Sequence, residues 1–579
     1  MSEESGQEST DSERSWSERF FSFCQAFFET KNAHRYAYFL PLVLFFPSLF
    51  LGLVADDLVH YWRLHFFSEE LSFGDATLYL FEFFQAPNTD HIEKGTLPWW
   101  ISEQTSISFF RPIAASTHWL DAILWKDVYF LHHLHSLLWA CLTIGVAHRV
   151  FVQLNGAGWM ATFCTWIFAC HDTHTMPFAW LANRSMSISF VFSLLAFSLY
   201  IQSQEQKKGA WRAILLFVFA LFVAESSVSV LGLMVAWAWV YIPQKKQAFL
   251  SLLPYLCLTV LWRLLHKSMG YGAKGMELYI DPANDPLLFI EACFLHFPIL
   301  LLNLIAKVPS DLYFVAGRQG QILMAVGGFL CTIGLLFVCR KVFKESPKAF
   351  FWSASLALML LPVCATYPQE RLLFFASFSF SGLLLCLSNQ HGGLLAKRLL
   401  ILHLPLAALV CIPKTLMLNV ASDFFEMGYH SIPEDFQAGQ SLVFVNGPEF
   451  PAMYTVFLSI LEGETIVDDI MMLSASPDVM LTVRGAQEIE IQVDKTWFFF
   501  NGNQSFAVGD RIQRKGFEAI VEEVNQDNVS TRVRFVLDEP LHSQKYRWMK
   551  WVGDRYEEMV LPSPSDEQLY IPDPWDFTR

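Results

Sequence analysis

Long apolar runs constrain this chain more than any other feature, because from Tyr36 to Val54 and again from Ser185 to Tyr200 there is no charged residue at all. Runs of that length cross, or nearly cross, a hydrocarbon layer of about 30 Å. The composition agrees: 53% of the 579 residues are hydrophobic and 16% charged, where a soluble enzyme carries about 25% charge. An ordinary soluble enzyme is therefore excluded, and the sequence reads as an α-helical polytopic membrane protein. The 11 Cys fall almost wholly inside the apolar runs. Neither 56–127 nor 420–579 contains one, so no intrachain disulfide is expected in the water-exposed parts.

Met1 to His34 is polar and rich in Ser and Glu, with no apolar stretch before a small-residue cleavage site. It reads as a disordered cytoplasmic leader (1–35) rather than a signal peptide. Tyr36 to Ala55 is expected to form the first span. A long first outer loop, 56–127, follows, in which Ser72 to Phe84 is expected to lie along the interface as an amphipathic helix. Further spans are expected near 128–150, 158–170, 185–202, 211–224, 228–242, 249–266, 287–306, 321–339, 349–366, 371–388 and 397–417, about 11–13 hydrophobic segments in all. Lys and Arg gather in the short loops at Lys207, Lys208 and Arg212, at Lys245 and Lys246, at Arg340, Lys341, Lys344 and Lys348, and at Lys397 and Arg398, which assigns those loops to the cytoplasm. Strict alternation then fails between Lys267 and Gln321 if every run crosses, so one segment there is expected to re-enter or to lie against other helices, its backbone shielded from lipid.

The charge is placed unevenly. Residues 418–579 hold 27 Asp and Glu against 12 Lys and Arg, an excess that equals the net charge of −15 of the whole chain. Residues 418–561 are thus an acidic, water-facing domain on the extracytoplasmic side, and such a surface argues against nucleic acid, whose binding needs a cationic footprint. Runs at Ser441–Asn446, Val479–Arg484, Ile489–Val493 and Thr531–Leu537, bounded by Gly, Pro, Asn and Asp, mark this domain as β-rich. The Pro-rich acidic end, 562–579, reads as an extended tail.

Chemistry-bearing residues gather on the outer side. Asp56 and Asp57 stand where the first span leaves the membrane, followed by His60 and Arg63. A carboxylate there serves as a general base, its like-charged neighbour raising its pKa; the plain alternative is a polar helix end. Arg111 precedes Pro112 before the second span. The next outer loop holds His171-Asp172-Thr173-His174 and Trp180-Leu-Ala-Asn-Arg184. His171 and His174 lack a third ligand at a fixed spacing, so hydrogen bonding is expected rather than metal binding. His132, His133 and His135 open a span, where an interfacial or pore-facing position is expected. Glu225 interrupts apolar sequence between two short spans, and Glu370-Arg371 opens a late one. Ionisable groups so placed are functional candidates, with a salt bridge inside the bundle as the alternative; Arg371 suits a phosphate.

In this order the motifs resemble the GT-C class of membrane glycosyltransferases. Within it they are most similar to the transmembrane O-mannosyltransferases that carry tetratricopeptide repeats and to their bacterial relatives, over residues 36–417. Ala224-Glu225 stands where that family has Lys-Glu, Asn183-Arg184-Ser185-Met186 where it has Gly-Arg-x-Asp, and the repeats are absent. The resemblance implies inverting transfer of a sugar from a polyprenyl-phosphate donor to an acceptor hydroxyl on a protein or glycan, at the extracytoplasmic side. Asp56 or Asp57 would be the base, and Arg111, Arg184 or Arg371 would neutralise the departing phosphate. Glu225, His171, His174 and Glu370 would line the substrate site. It implies no nucleotide site, leaves dependence on a divalent ion open, and favours a bacterial inner membrane over the endoplasmic reticulum. Asn183-Arg-Ser185, Asn503-Gln-Ser505 and Asn528-Val-Ser530 would be glycosylation acceptors in a eukaryote. The competing readings are a transporter or flippase of a lipid-linked sugar and a non-catalytic anchor for the C-terminal domain.

Overall fold

The computed structural model describes residues 16–66, 72–275, 279–338, 340–391, 394–462, 467, 469–493, 505–526, 528–564 and 568–573. Two compact units divide the chain: 1–51 with 111–269 and 280–418, and 52–110 with 270–279 and 419–579.

The first unit is helical because its apolar runs can satisfy their backbone in lipid only by bonding internally. Among the described residues eight helices are long and apolar enough to cross a membrane: Tyr129–Asn155, Leu181–Gln206, Lys245–Ser268, Pro286–Ala306, Gly317–Val338, Pro347–Ala365, Glu370–Ser388 and Arg398–His430. Trp159–Ala169, Ala210–Val223 and Glu225–Tyr241 are shorter apolar helices. Each of the eleven runs expected after residue 127 thus becomes a helix. The run at 287–306 forms a helix long and apolar enough to span.

The expected first span is different. Helix Ala33–Leu44 gives way to a 3-10 turn at Phe46–Phe50, with Pro41 inside the first and Pro47 at the start of the second. Proline supplies no N–H and cannot continue the α-helical ladder. The expected disordered leader is helical over Trp16–Glu29, while residues 1–15 lie outside the described residues. Aromatic packing accounts for that helix: Phe28 meets Phe163 edge-on at 5.7 Å and Phe27 meets Trp166 at 5.1 Å.

Phenylalanine fills the centre of the unit. Phe168 stacks on Phe190 at 5.2 Å, and Phe378 on Phe151 at 4.3 Å. The Glu370–Ser388 helix is 89% buried over its apolar window and Gly317–Val338 only 6%, so the former is the hub and the latter peripheral. Two glycines permit close approach. A Cβ at Gly382 would lie 2.2 Å from the Trp352 ring, and one at Gly328 would lie 1.9 Å from the Pro298 carbonyl oxygen.

The second unit is β-rich, as expected of the C-terminal region, but it also draws in two earlier segments. Its antiparallel six-stranded sheet runs in the order Leu569–Ile571, Val479–Val483, Glu488–Gln492, Ser530–Leu537, Phe517–Val524, Arg511–Arg514. Ile489 pairs with Phe535 and Ile491 with Val533, so alternate residues of these strands share one buried face. The expected extended tail therefore contributes an edge strand. A four-stranded sheet has the order Tyr556–Glu558, Tyr546–Trp551, Ser441–Phe444, Ile470–Met472. Ser441–Phe444 is parallel to both neighbours. Its connection to Ile470–Met472 needs a crossover, supplied by helix Glu449–Glu462.

Residues 52–110 contribute helix Asp56–Phe66 and two strands, Glu82–Phe84 and Ser106–Ser108, the second lying between the first and Gly272–Lys274 in a three-stranded sheet. The expected interfacial helix is confined to Phe73–Tyr79; the Phe-rich residues after it turn to strand. Trp99 packs edge-on against Phe535 at 5.7 Å, and Phe84, Trp100 and Ile101 join the same core.

Candidate functional site

Within the helical unit, the His-rich loop and the late Glu-Arg motif meet in one charged cluster. Asp172 accepts from Lys307 Nζ at 2.6 Å and from Lys414 Nζ at 2.8 Å, and Lys414 also pairs with Glu370. Asn303 donates to Glu370 Oε1 at 3.1 Å, and the Glu370 N–H donates to Asp311 at 3.0 Å, which fixes the turn at the start of the Glu370–Ser388 helix. Arg371 stands apart: its Nε donates to Gln369 Oε1 at 2.6 Å, and the guanidinium lies over the Trp180 ring at 5.5 Å.

Electrostatics in the loops follow from burial. Burial alone would raise the Asp172 carboxyl, but the cations of Lys307 and Lys414 outweigh it and hold the group well below the usual carboxylate range. Burial lowers the Lys307 ammonium despite Asp172, and raises the Asp311 carboxyl, with Glu370 adding to the effect.

His171 is pushed far down by burial and then by Lys307; His174 is pushed down to about 3 for the same reasons. Both imidazoles are fully buried and hydrogen-bonded, His171 Nδ1 to Thr173 Oγ1 at 2.8 Å and His174 Nε2 to Ser377 Oγ at 2.9 Å.

Glu225 begins the 3-10 turn between two short helices and accepts from Arg111 Nε at 2.9 Å and Nη2 at 2.8 Å. His266 Nε2 lies 3.7 Å from its other oxygen. Arg111 and Glu225 are thus partners, both partly exposed.

Arg184 is held by internal partners. The side chain is completely buried and donates to Ser136 Oγ at 2.7 Å, to the His132 carbonyl at 2.8 Å and to Asp121. The cause is local: Arg184 opens its helix facing His132 and Ser136, one turn apart on the Tyr129–Asn155 helix. His132 and His133 are likewise buried, whereas His135 bonds Asp121 at 2.6 Å with part of its surface exposed.

In the second unit, Asp56 and Asp57 form the first turn of helix Asp56–Phe66, where carboxylates complement the helix dipole. Their environments differ. Asp57 is fully buried, and its Oδ2 accepts the Val54 N–H at 3.1 Å, reaching back to the chain just ahead of the helix. Asp56 is half-buried, and the Tyr454 phenol lies within its electrostatic reach. His60 packs against the rings of Phe81 and Phe83 at 4.6 and 5.6 Å, and Arg63 donates to the Phe83 carbonyl at 3.3 Å.

Sequence reasoning missed Asp121, His266, Lys307, Asp311, Lys414 and Tyr454. For Lys414 the signal was present, because an ammonium inside the apolar run 397–417 is costly unless paired. Tyr454 gives none, since an aromatic on a helix is ordinarily core. Among the described residues no group of three or more His, Cys, Asp or Glu is arranged to hold a metal ion.

No model of a known protein family matches this chain, and no curated protein matches it. Fold and helix lengths define a class all the same: the chain is a polytopic α-helical membrane protein with a β-rich C-terminal region.

Proposed function

We propose that the chain is a GT-C-like glycosyltransferase that moves a sugar from a polyprenyl-phosphate donor to an acceptor hydroxyl, with Asp56 as general base. The observation that carries this reading is the division within the acidic pair. Asp57 is buried and accepts the Val54 N–H, whereas the half-buried Asp56 is the one accessible to take a proton.

The acceptor oxygen attacks the anomeric carbon from the face opposite the phosphate. Its proton passes to Asp56, the bond from that carbon to the phosphate oxygen breaks, and the lipid phosphate leaves with the electron pair. In the helical unit the group suited to a phosphate is Arg371. Its guanidinium is held by Gln369 and Trp180 rather than by a carboxylate among the described residues, and a guanidinium fork matches phosphate oxygens. Arg111, already paired with Glu225, is second to it. On this reading residues 418–561 are extracytoplasmic and the membrane is a bacterial inner membrane. A transporter of lipid-linked sugar is the second reading, favoured by the buried cluster of Asp172, Lys307, Lys414 and Glu370, since such clusters also line substrate paths.

Incorporation of labelled mannose from undecaprenyl-phosphate mannose into membrane acceptors tests the proposal. Asp56→Asn is expected to lower transfer by about 100-fold or more at unchanged protein level. Asp57→Asn is expected to lower the melting temperature first. Undiminished transfer in the double variant would falsify the enzyme reading.

A further inference from the structure

We infer that the seam between helix Ala33–Leu44 and helix Tyr129–Asn155 is a binding site for an anionic phospholipid with a hydroxylated headgroup, its phosphate held by Arg35 and its acyl chain laid along Phe39 and Val43. The inference rests on the membrane-spanning fold and stands apart from the enzymatic reading.

The two helices run antiparallel. Phe50, just beyond the first, meets Phe130 at 6.3 Å, and at the other end His34 stacks on His148 at 4.9 Å with the rings 8° apart. Tyr38 stands edge-on to both, 5.8 Å from His34 and 5.5 Å from His148. Beyond His148 the same helix is tied by Gln153, which donates to the Ser198 carbonyl at 3.2 Å, so this is the end of the bundle at which Lys207 and Lys208 gather. Basic side chains at such an end meet the headgroups of anionic lipid.

Polar atoms at the seam are presented but not used. Thr165 spends its proton on the Ala161 carbonyl at 2.7 Å, so its oxygen is the acceptor across the 2.9 Å to His148 Nδ1, and Nε2 of the neutral ring is left as an acceptor. Among the described residues no protein donor takes up that nitrogen, and none partners the His34 imidazole, the Tyr38 hydroxyl or the Arg35 guanidinium. Arg149, next after His148, and Lys31, four residues before Arg35, are likewise exposed without a carboxylate partner among the described residues. Glu29, the acidic residue nearest in sequence, accepts from Gln25 at 3.2 Å.

Apolar surface continues from the cation. Arg35, Phe39 and Val43 are spaced four apart on one helix face, and Phe39 and Val43 are each 60% exposed. Charge at the headgroup level followed by hydrocarbon toward the bilayer centre is the profile of a phospholipid. A guanidinium suits a phosphodiester, and a headgroup hydroxyl supplies the donor that His148 Nε2 lacks. Phosphatidylglycerol carries both groups.

Native mass spectrometry of the full-length protein in detergent tests the site, with phosphatidylglycerol, phosphatidylethanol and phosphatidylcholine as probes. Phosphatidylethanol has the same phosphodiester charge and no hydroxyl. Phosphatidylglycerol is expected to bind about fivefold more tightly than phosphatidylethanol, as one neutral hydrogen bond dictates, and at least about tenfold more tightly than phosphatidylcholine. Arg35→Gln should weaken both anionic lipids by about tenfold. His148→Asn keeps a donor for Thr165 and removes Nε2; it should bring phosphatidylglycerol down to the level of phosphatidylethanol and leave the latter unmoved, a split that lost packing would not produce. Lys208→Gln, at the same end of the bundle, should change neither. Equal retention of phosphatidylglycerol and phosphatidylcholine, or equal losses in Lys208→Gln and Arg35→Gln, overturns the site in favour of unspecific annular lipid. Equal retention of the two anionic lipids by the unaltered protein removes the hydroxyl contact, and decides that point if His148→Asn does not accumulate. Displacement of the lipid by inorganic phosphate would assign the cations to a free anion and overturn the lipid site as well.

Discussion

Lys414 is flanked by apolar residues, in Ile412-Pro413-Lys414-Thr415-Leu416, and its ammonium bridges Asp172 and Glu370. Removing one member of a buried ion network leaves the others uncompensated, at a cost of about 3–5 kcal/mol. Lys414→Met should therefore lower the melting temperature in detergent sharply, and Lys414→Met combined with Glu370→Gln should recover part of the loss; additive losses would show that the bridge is not a unit. Two loop histidines make a pH prediction. Burial, then Lys307, lowers His174 to about 3, and burial, then Arg63 and Lys94, lowers His91 to about 4. The unfolded chain binds these protons from about pH 6.5. The stability they support is thus complete above that pH and declines as pH falls toward the folded values, by up to about 1.4 kcal/mol per pH unit for each imidazole. Thermal melts between pH 7 and 4.5 should record the decline, and His174→Gln should flatten it. Residue types and their order singled out Glu225 and Glu370, and both are engaged in ion pairs. Whether a given arginine is spent on an internal partner was not legible in the sequence, because Arg184 and Arg371 look alike until Asp121 is seen beside the first.

At the scale of elements, apolar run length carried most of the information, and all eleven runs expected after residue 127 are helical. The failures have different causes: Pro47 opens a 3-10 turn where hydropathy alone would continue the helix, and the Phe-rich piece after Tyr79 goes to strand because it meets a partner at Ser106–Ser108. Distant pairing of that kind leaves no local mark. Helix contacts in the bundle depend on glycine at particular places. Gly382→Leu drives a side chain into the Trp352 ring, whereas nothing lies within 4 Å of a Cβ at Gly334. The first change should cost at least about 1–3 kcal/mol as overpacking, and Gly334→Leu should leave the melting temperature nearly unchanged. Equal behaviour of the two variants in a detergent melt would contradict the packing described.

For the whole molecule, the main consequence concerns which parts can stand alone. The acidic C-terminal region looks self-contained in sequence, but its core includes Phe84, Trp99, Trp100 and Ile101 from the segment after the first short helices, and Arg514 donates to the Trp99 carbonyl at 3.3 Å. Residues 419–579 expressed by themselves should expose that apolar surface, bind a hydrophobic dye and aggregate; adding residues 52–110 should reverse this. A soluble, dye-negative fragment would show that the early segment is dispensable. The same arrangement imposes an order on biosynthesis. Ribosomes add about 5–20 residues per second, so a tryptophan-bearing loop that emerges near the beginning waits on the order of tens of seconds for the strands that will cover it. Throughout that interval it is a client for whatever holdase patrols that compartment, and a cell short of such a helper would lose this protein while it is still being made.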